Sequence, residues 1–319
     1  MATPIADLSY RNYDGALEPP INRWWAIAKM SMRLSAKKRG FWIWASVSTY
    51  WYLILIVMLY IMDSLAQSAP QGPGQINLLQ QIVWKDQFLN AFSFSQLVLL
   101  ILALLIGVGT IANDNKANAL LVYLSKPCSK LDYLIGKWLG IFIPLTIVTA
   151  APVAFFFFYC FMSYRDYGFL TQDPKLPLRL LGLVLVPGFF HASVALGVSS
   201  MFNQGRMAGA TYAGLYFISN FFTKAMGVSY AIVTHGGGGG ALLKTLYYCS
   251  MDGIQIGIAK IVLGTDGSFW LPFANKGGPQ GIVVPAPSPA LFVPLYFLIC
   301  AVFVLFAWTR VRAVQVIGK

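Results

Sequence analysis

The sequence predicts an all-α integral membrane protein: six transmembrane helices, an N-terminal amphipathic interfacial helix, a short helix in a cytoplasmic loop, and an outer helical, glycine-rich loop before the last span. Three observations predict it. The chain is 57% hydrophobic, 15% aromatic and only 11% charged, with a mean hydropathy of +0.65, and a soluble surface needs far more Lys, Arg, Asp and Glu than that. Apolar stretches of roughly 20 residues, the length a helix needs to cross about 30 Å of hydrocarbon, recur along it. Its Lys and Arg residues also collect beside one set of span ends.

The elements follow in order. Residues 1–40 form a cytoplasmic tail and interfacial helix, 41–308 the transmembrane domain, and 309–319 a second cytoplasmic tail. The N-terminus is polar and acidic up to Pro19-Pro20 and lacks the apolar core and small-residue cleavage site of a signal peptide, so the first span is expected to direct insertion. After the prolines, Ile21, Trp24, Trp25, Ala28, Met32 and Ala36 gather on one side of a helical wheel and Arg23, Lys29, Arg33 and Lys37 on another. That pattern suits a helix lying at the headgroup level. The spans are expected near 41–62, 92–112, 134–162, 180–202, 208–226 and 290–308. Asn220 and Lys224 interrupt the fifth, which either stops early or runs on through Ala225–Thr234 as a longer tilted helix.

Orientation follows from charge. With both termini inside, 15 Lys and Arg residues lie on the cytoplasmic side and 8 on the other, and 7 of the 15 precede the first span. The net charge of +12 therefore reports topology and attraction to anionic headgroups. Because the charges flank spans and form no extended patch, a nucleic-acid partner is not expected.

Between the second and third spans lies a polar hinge, Ile111–Gly140. Asp114 can cap the helix that follows it, and Leu120, Leu121 and Leu124 make one apolar stripe on that helix. Lys126, preceding Pro127, is biased out of helical geometry and closes it. Ser129-Lys-Leu-Asp132 reads as a capping box that opens the third span. An exposed apolar stripe outside the bilayer wants a protein surface to rest on.

This hinge resembles the membrane subunits of ABC exporters of the ABC-2 type, six-span permeases that work with a separate ATPase. The matching residues are Asp114, Ala119-Leu-Leu-Val-Tyr-Leu-Ser-Lys-Pro127 and Asp132-Tyr-Leu-Ile-Gly-Lys137. The resemblance implies that the segment is a coupling helix docked on the ATPase, with Asp114, Leu120, Leu121, Leu124, Lys126, Pro127, Asp132 and Lys137 at the contact. It implies that the interfacial helix, with Trp24, Trp25, Lys29 and Arg33, touches the ATPase as well as the membrane lipids. Two membrane subunits, identical or related, would pair with two ATPase subunits that carry the ATP and magnesium, and this chain would hold no cofactor. Gly136-Lys-Trp-Leu-Gly140 gives weak support to a close helix contact between such subunits. The implied location is a cell membrane, in a bacterium the plasma or inner membrane.

Other chemistries find little support. Cys128, Cys160, Cys249 and Cys300 have no metal-ligand spacing, and a Cys160–Cys249 bridge is conceivable only in an oxidising compartment. His191 lies inside the fourth span, where an ionisable group is a pathway candidate by default. Its plainer reading is a neutral ring bonded to a carbonyl freed near Pro187 or to a neighbouring helix. Gly236–Gly240 followed by Lys244-Thr245 mimics a phosphate-binding loop, but Leu243 stands where glycine must precede the lysine. In the outer loop Ile254, Ile258, Ile261 and Val262 fit a helical stripe while Ile254, Ile256 and Ile258 fit a strand equally well, and the resemblance, which implies helices between the last two spans, favours a short amphipathic helix. The Asp and Glu residues lie at span ends or in loops, which disfavours ion-coupled transport. A membrane enzyme or a noncatalytic assembly or scaffold subunit remains the alternative class.

Overall fold

The computed structural model describes residues 22–68, 82–119, 129–235, 240–267 and 283–311. Helices carry the described chain: α1 (Arg23–Ala36), α2 (Arg39–Ser48), α3 (Tyr50–Ser68), α4 (Trp84–Ile106), α5 (Ala112–Lys116), α6 (Lys130–Ser163), α7 (Leu176–Ser200), α8 (Gly205–His235), α9 (Ala241–Tyr247), α10 (Met251–Leu263) and α11 (Pro289–Arg310). The protein is an all-α integral membrane protein. Among the described residues, five segments are long and apolar enough to cross a bilayer: 39–65 (α2 and α3 together), α4, α6, α7 and α11. α8 falls outside that set. It nonetheless continues as one helix through His235, which is the longer of the two courses the sequence leaves open for this segment. The second apolar helix begins at Trp84, well before Phe92, because the aromatic residues Trp84 and Phe88 are packed inside the bundle.

α7 is the central helix, buried along most of its length and packed against α4, α6, α8, α10 and α11. Small residues let neighbours come close, as expected where lipid supplies no hydrophobic drive between helices. A Cβ built on Gly197 would sit 2.6 Å from the carbonyl oxygen of Phe303 on α11. Polar side chains knit the same contacts, with Trp138 Nε1 of α6 donating to Ser193 Oγ at 3.0 Å and Tyr296 Oη of α11 donating to the Val186 carbonyl at 2.7 Å.

At the end of the bundle remote from the hinge, α10 forms a helical cap, the helical course of the two that its isoleucines allow. Its Ser250 N-cap accepts from the Gly253 amide at 2.9 Å, and Gly264 ends it with φ +64 in the left-handed region that favours glycine. Two cations meet its C-terminal carbonyls, the negative end of the helix dipole: Arg179 donates to the Leu263 carbonyl at 2.5 Å and Lys85 to that of Gly264 at 2.7 Å. Lys260 points inward and donates to the Val284 carbonyl at 2.6 Å; burial pushes its ammonium pKa down to about 8, against the pull of Asp266 and Asp86. Cys160 is a buried free thiol and Cys249 an exposed one, so the conceivable bridge between them is not formed. Cys128 lies outside the described residues.

Candidate functional site

The hinge is built from the ends of α4, α5, α6 and α7. α4 stops at Ile106, and the chain turns through Gly107–Ile111 into α5. The amides at the start of α5 are satisfied from across the bundle: Ser199 Oγ of α7 accepts from the Ile111 and Ala112 amides, each at 3.0 Å, and donates to the Val108 carbonyl at 2.6 Å. Ser199, 0% exposed, is therefore the capping group. Asp114 lies inside α5, and the leucine-bearing helix it is expected to cap falls outside the described residues. The Asp114 carboxylate forms a 2.7 Å ion pair with Lys137 Nζ and accepts at 2.7 Å from the hydroxyl of buried Tyr133, both on α6. Lys137 also donates to the Thr110 carbonyl at 3.3 Å. The two arms of the hinge are thus joined at their base, and the side chains of Lys137 and Asp114 retain only 10% and 19% of their exposure.

The expected capping box is present, with Ser129 Oγ accepting from the Asp132 amide and Asp132 Oδ2 from the Ser129 amide, each at 3.0 Å. Leu120, Leu121, Leu124, Lys126 and Pro127 lie outside the described residues.

α1 runs along the start of α6. Its packed stripe is Ala28, Ser31 and Ser35, while Trp25, Lys29, Met30, Arg33 and Leu34 are exposed and Trp24 is half-buried. The helical wheel gave Trp24 and Ala28 to an apolar side meant for the membrane interface and overlooked the serines, which read as polar yet are small enough for close contact with α6. The receiving surface is the Gly136–Gly140 pair. A Cβ on Gly136 would lie 2.7 Å from the Trp24 carbonyl and from Ile27 Cβ, and one on Gly140 would lie 2.4 Å from Ser31 Cβ. The glycine pair, offered above as weak support for a contact between subunits, is filled by the chain's own α1.

The model of the ABC-2 family transporter proteins matches residues 25–311, a span that takes in α1 from Trp25 onward, the hinge and the five apolar segments found among the described residues. The chain belongs to the ABC-2 transporter family. It is a multi-pass membrane permease component of an ATP-binding cassette transporter. A search of curated proteins finds no match.

A second polar region of this ABC-2 permease lies where α8 meets α10. His191 is fully buried, its Nδ1 2.6 Å from Tyr212 Oη of α8, and Gln255 Nε2 of α10 lies 3.5 Å from its Nε2. The neighbouring-helix contact is the one formed. Next to it, Asn220 Nδ2 donates to Asp252 Oδ2 at 2.8 Å, and the Met251 amide reaches Ser219 Oγ at 3.4 Å. Burial pushes the Asp252 carboxyl above the usual carboxylate range, opposed by Tyr216, Asn220 and the charge of Lys224. These groups line a cleft of about 650 Å³ together with Leu97, Phe217, Ile218 and Phe221. From sequence alone Asn220 and Lys224 look like interruptions of a span, and Asp252 stands isolated. The available signal was the spacing of Tyr212, Tyr216, Asn220 and Lys224, one helical turn apart and so on one face.

Proposed function

We propose that this permease is the membrane subunit of an exporter in which ATP hydrolysis by a separate ATPase drives substrate outward, with both termini cytoplasmic and two membrane subunits in the working assembly. The observation that carries the reading is the hinge, whose arms are joined at Asp114–Lys137, anchored to the central helix through Ser199, and continuous with α1 through Gly136 and Gly140. Displacement of the segment between those arms passes into α6, α7 and α1 together. The leucine stripe Leu120, Leu121 and Leu124 is the surface that receives the ATPase, and Asp132 supports it by capping α6. ATP and magnesium belong to the partner.

Leu121→Asp tests this directly, because it places an unpaired charge at the contact. The variant is expected to reach normal abundance while losing ATPase co-purification and transport. Wild-type ATPase binding and transport at equal expression would refute the coupling role. Orientation has its own test. An impermeant thiol reagent on intact cells should label exposed Cys249 and reach Cys128 only after permeabilisation; labelling of Cys128 from outside would invert the topology.

A further inference from the structure

We propose that the groove between α6, α7 and α11 holds one acyl chain of an anionic phospholipid, with the lipid phosphate at Lys130. The inference goes beyond the transport reading and does not depend on it.

The groove encloses about 500 Å³ and opens sideways on the surface of the bundle, where Leu131 of α6 and Phe297 of α11 are exposed. Its wall is aromatic and fixed. Trp138 stacks on Phe142 with ring centroids 4.7 Å apart and meets Phe189 edge-on at 5.2 Å, and Phe189 meets Phe297 edge-on at 5.7 Å. The polar atoms of its floor serve one another: Trp138 Nε1 donates to Ser193 Oγ, which donates in turn to the Phe189 carbonyl at 2.8 Å. Cys300 adds a buried thiol, in effect a small hydrophobe. A polar guest would have to break that chain or go unanswered, at the cost of its hydration. A hydrocarbon guest loses nothing.

Length and charge choose which hydrocarbon. From Phe297 to Trp308 the groove follows about 17 Å of α11, at about 1.5 Å per residue, against a hydrocarbon core about 30 Å thick. It therefore spans one leaflet, the reach of a single lipid tail. Its hinge end is marked by Trp308, an aromatic of the kind that sits at headgroup depth, and the Lys130 ammonium lies 4.5 Å over that ring. A tail seated in the groove thus brings its phosphate to a positioned cation, whose three donors can meet a phosphate oxygen from there. Asp132 does not oppose this, since its carboxylate is turned back on the Ser129 amide and hydroxyl. A zwitterionic head brings the same phosphate with its own ammonium beside it, and the two cations repel. An occupied groove also braces the start of α6, one arm of the hinge, against α11.

Native mass spectrometry of the purified chain in detergent, titrated with phosphatidylglycerol or phosphatidylcholine of identical tails, tests this. The first phosphatidylglycerol is expected to bind about tenfold more tightly than the first phosphatidylcholine. Lys130→Gln should bring the two to equal affinity by weakening the phosphatidylglycerol. Ala301→Trp, at an exposed position lining the groove, should fill it and abolish the tight first binding. Lysophosphatidylglycerol, with its one tail, should bind as tightly as the two-tailed lipid. Equal binding of the two lipids by the wild-type chain, an unchanged preference in Lys130→Gln, or unchanged tight binding in Ala301→Trp overturns the proposal. So does displacement of the lipid by glycerol phosphate at equal concentration, which would assign the cation to a free phosphate. Loss of binding as the chain dimerises also overturns it, because the groove would then be an interface between copies. Transport enters none of these readouts, so a failure of the exporter reading leaves the lipid site standing, and loss of the lipid preference leaves that reading untouched.

Discussion

Gly136→Leu is expected to lift α1 off α6 and abolish transport while the chain still inserts. The atoms that a side chain at 136 meets include the Trp24 backbone carbonyl at 2.7 Å, so no rotamer change relieves the clash and the α1 backbone itself must move. Overpacking of this kind costs about 1–3 kcal/mol, and the upper end applies when backbone has to yield. Gly140→Leu should behave alike through Ser31. Gly214→Ala is the control, since a Cβ there meets nothing within 4 Å, and alanine favours the helix by up to about 1 kcal/mol. Thermal unfolding of the purified variants and a transport assay check the ranking. A Gly136→Leu protein with an unchanged midpoint and full transport would show that the α1–α6 contact is dispensable.

Asp114→Ala carries the second large effect. Removing it takes the paired carboxylate from the ammonium of Lys137 and an acceptor from the hydroxyl of Tyr133, each largely buried. Breaking a buried pair by deleting one member costs about 3–5 kcal/mol, chiefly because the remaining charge is stranded. The double change Asp114→Asn with Lys137→Met removes both charges and is expected to recover most of the stability, though not the transmission of movement through the hinge. A double-mutant cycle on the unfolding midpoint measures the coupling between the two sites. Additive single effects would show that the pair does not act as one unit.

The sequence was most informative where one residue's chemistry decides the structure locally. The Ser129–Asp132 box forms because its partners are three residues apart, whereas the isoleucines of α10 fit helix and strand alike and the Ser250 cap and Gly264 end make the segment a helix. The apolar helices follow from length and composition alone. The hinge's true partners were not legible because they are distant in sequence: Ser199 serves amides 88 and 87 residues away, and Asp252 meets Asn220 across 32. A serine near the end of an apolar run carries no mark of that role. The ion pair of Asp114 with Lys137 was not legible either, because its members stand on different helices. The glycine pair at 136 and 140 correctly signalled a close approach, yet spacing cannot say whether the approaching helix belongs to the same chain.

Lys38 gives the hinge a mechanical counterpart. It stands between α1 and α2 in extended conformation, φ −78 and ψ 118, while its ammonium holds the Leu105 carbonyl at the end of α4 at 2.5 Å. α1 is keyed to α6 by backbone contact that cannot slide without clashing, so these two helices turn as one arm. The first apolar span begins directly after the extended residue. Lys38 is consequently placed as a fulcrum would be: a tilt of the arm on one side would become a swing of α2 and α3 on the other, about a point held by the tether to Leu105.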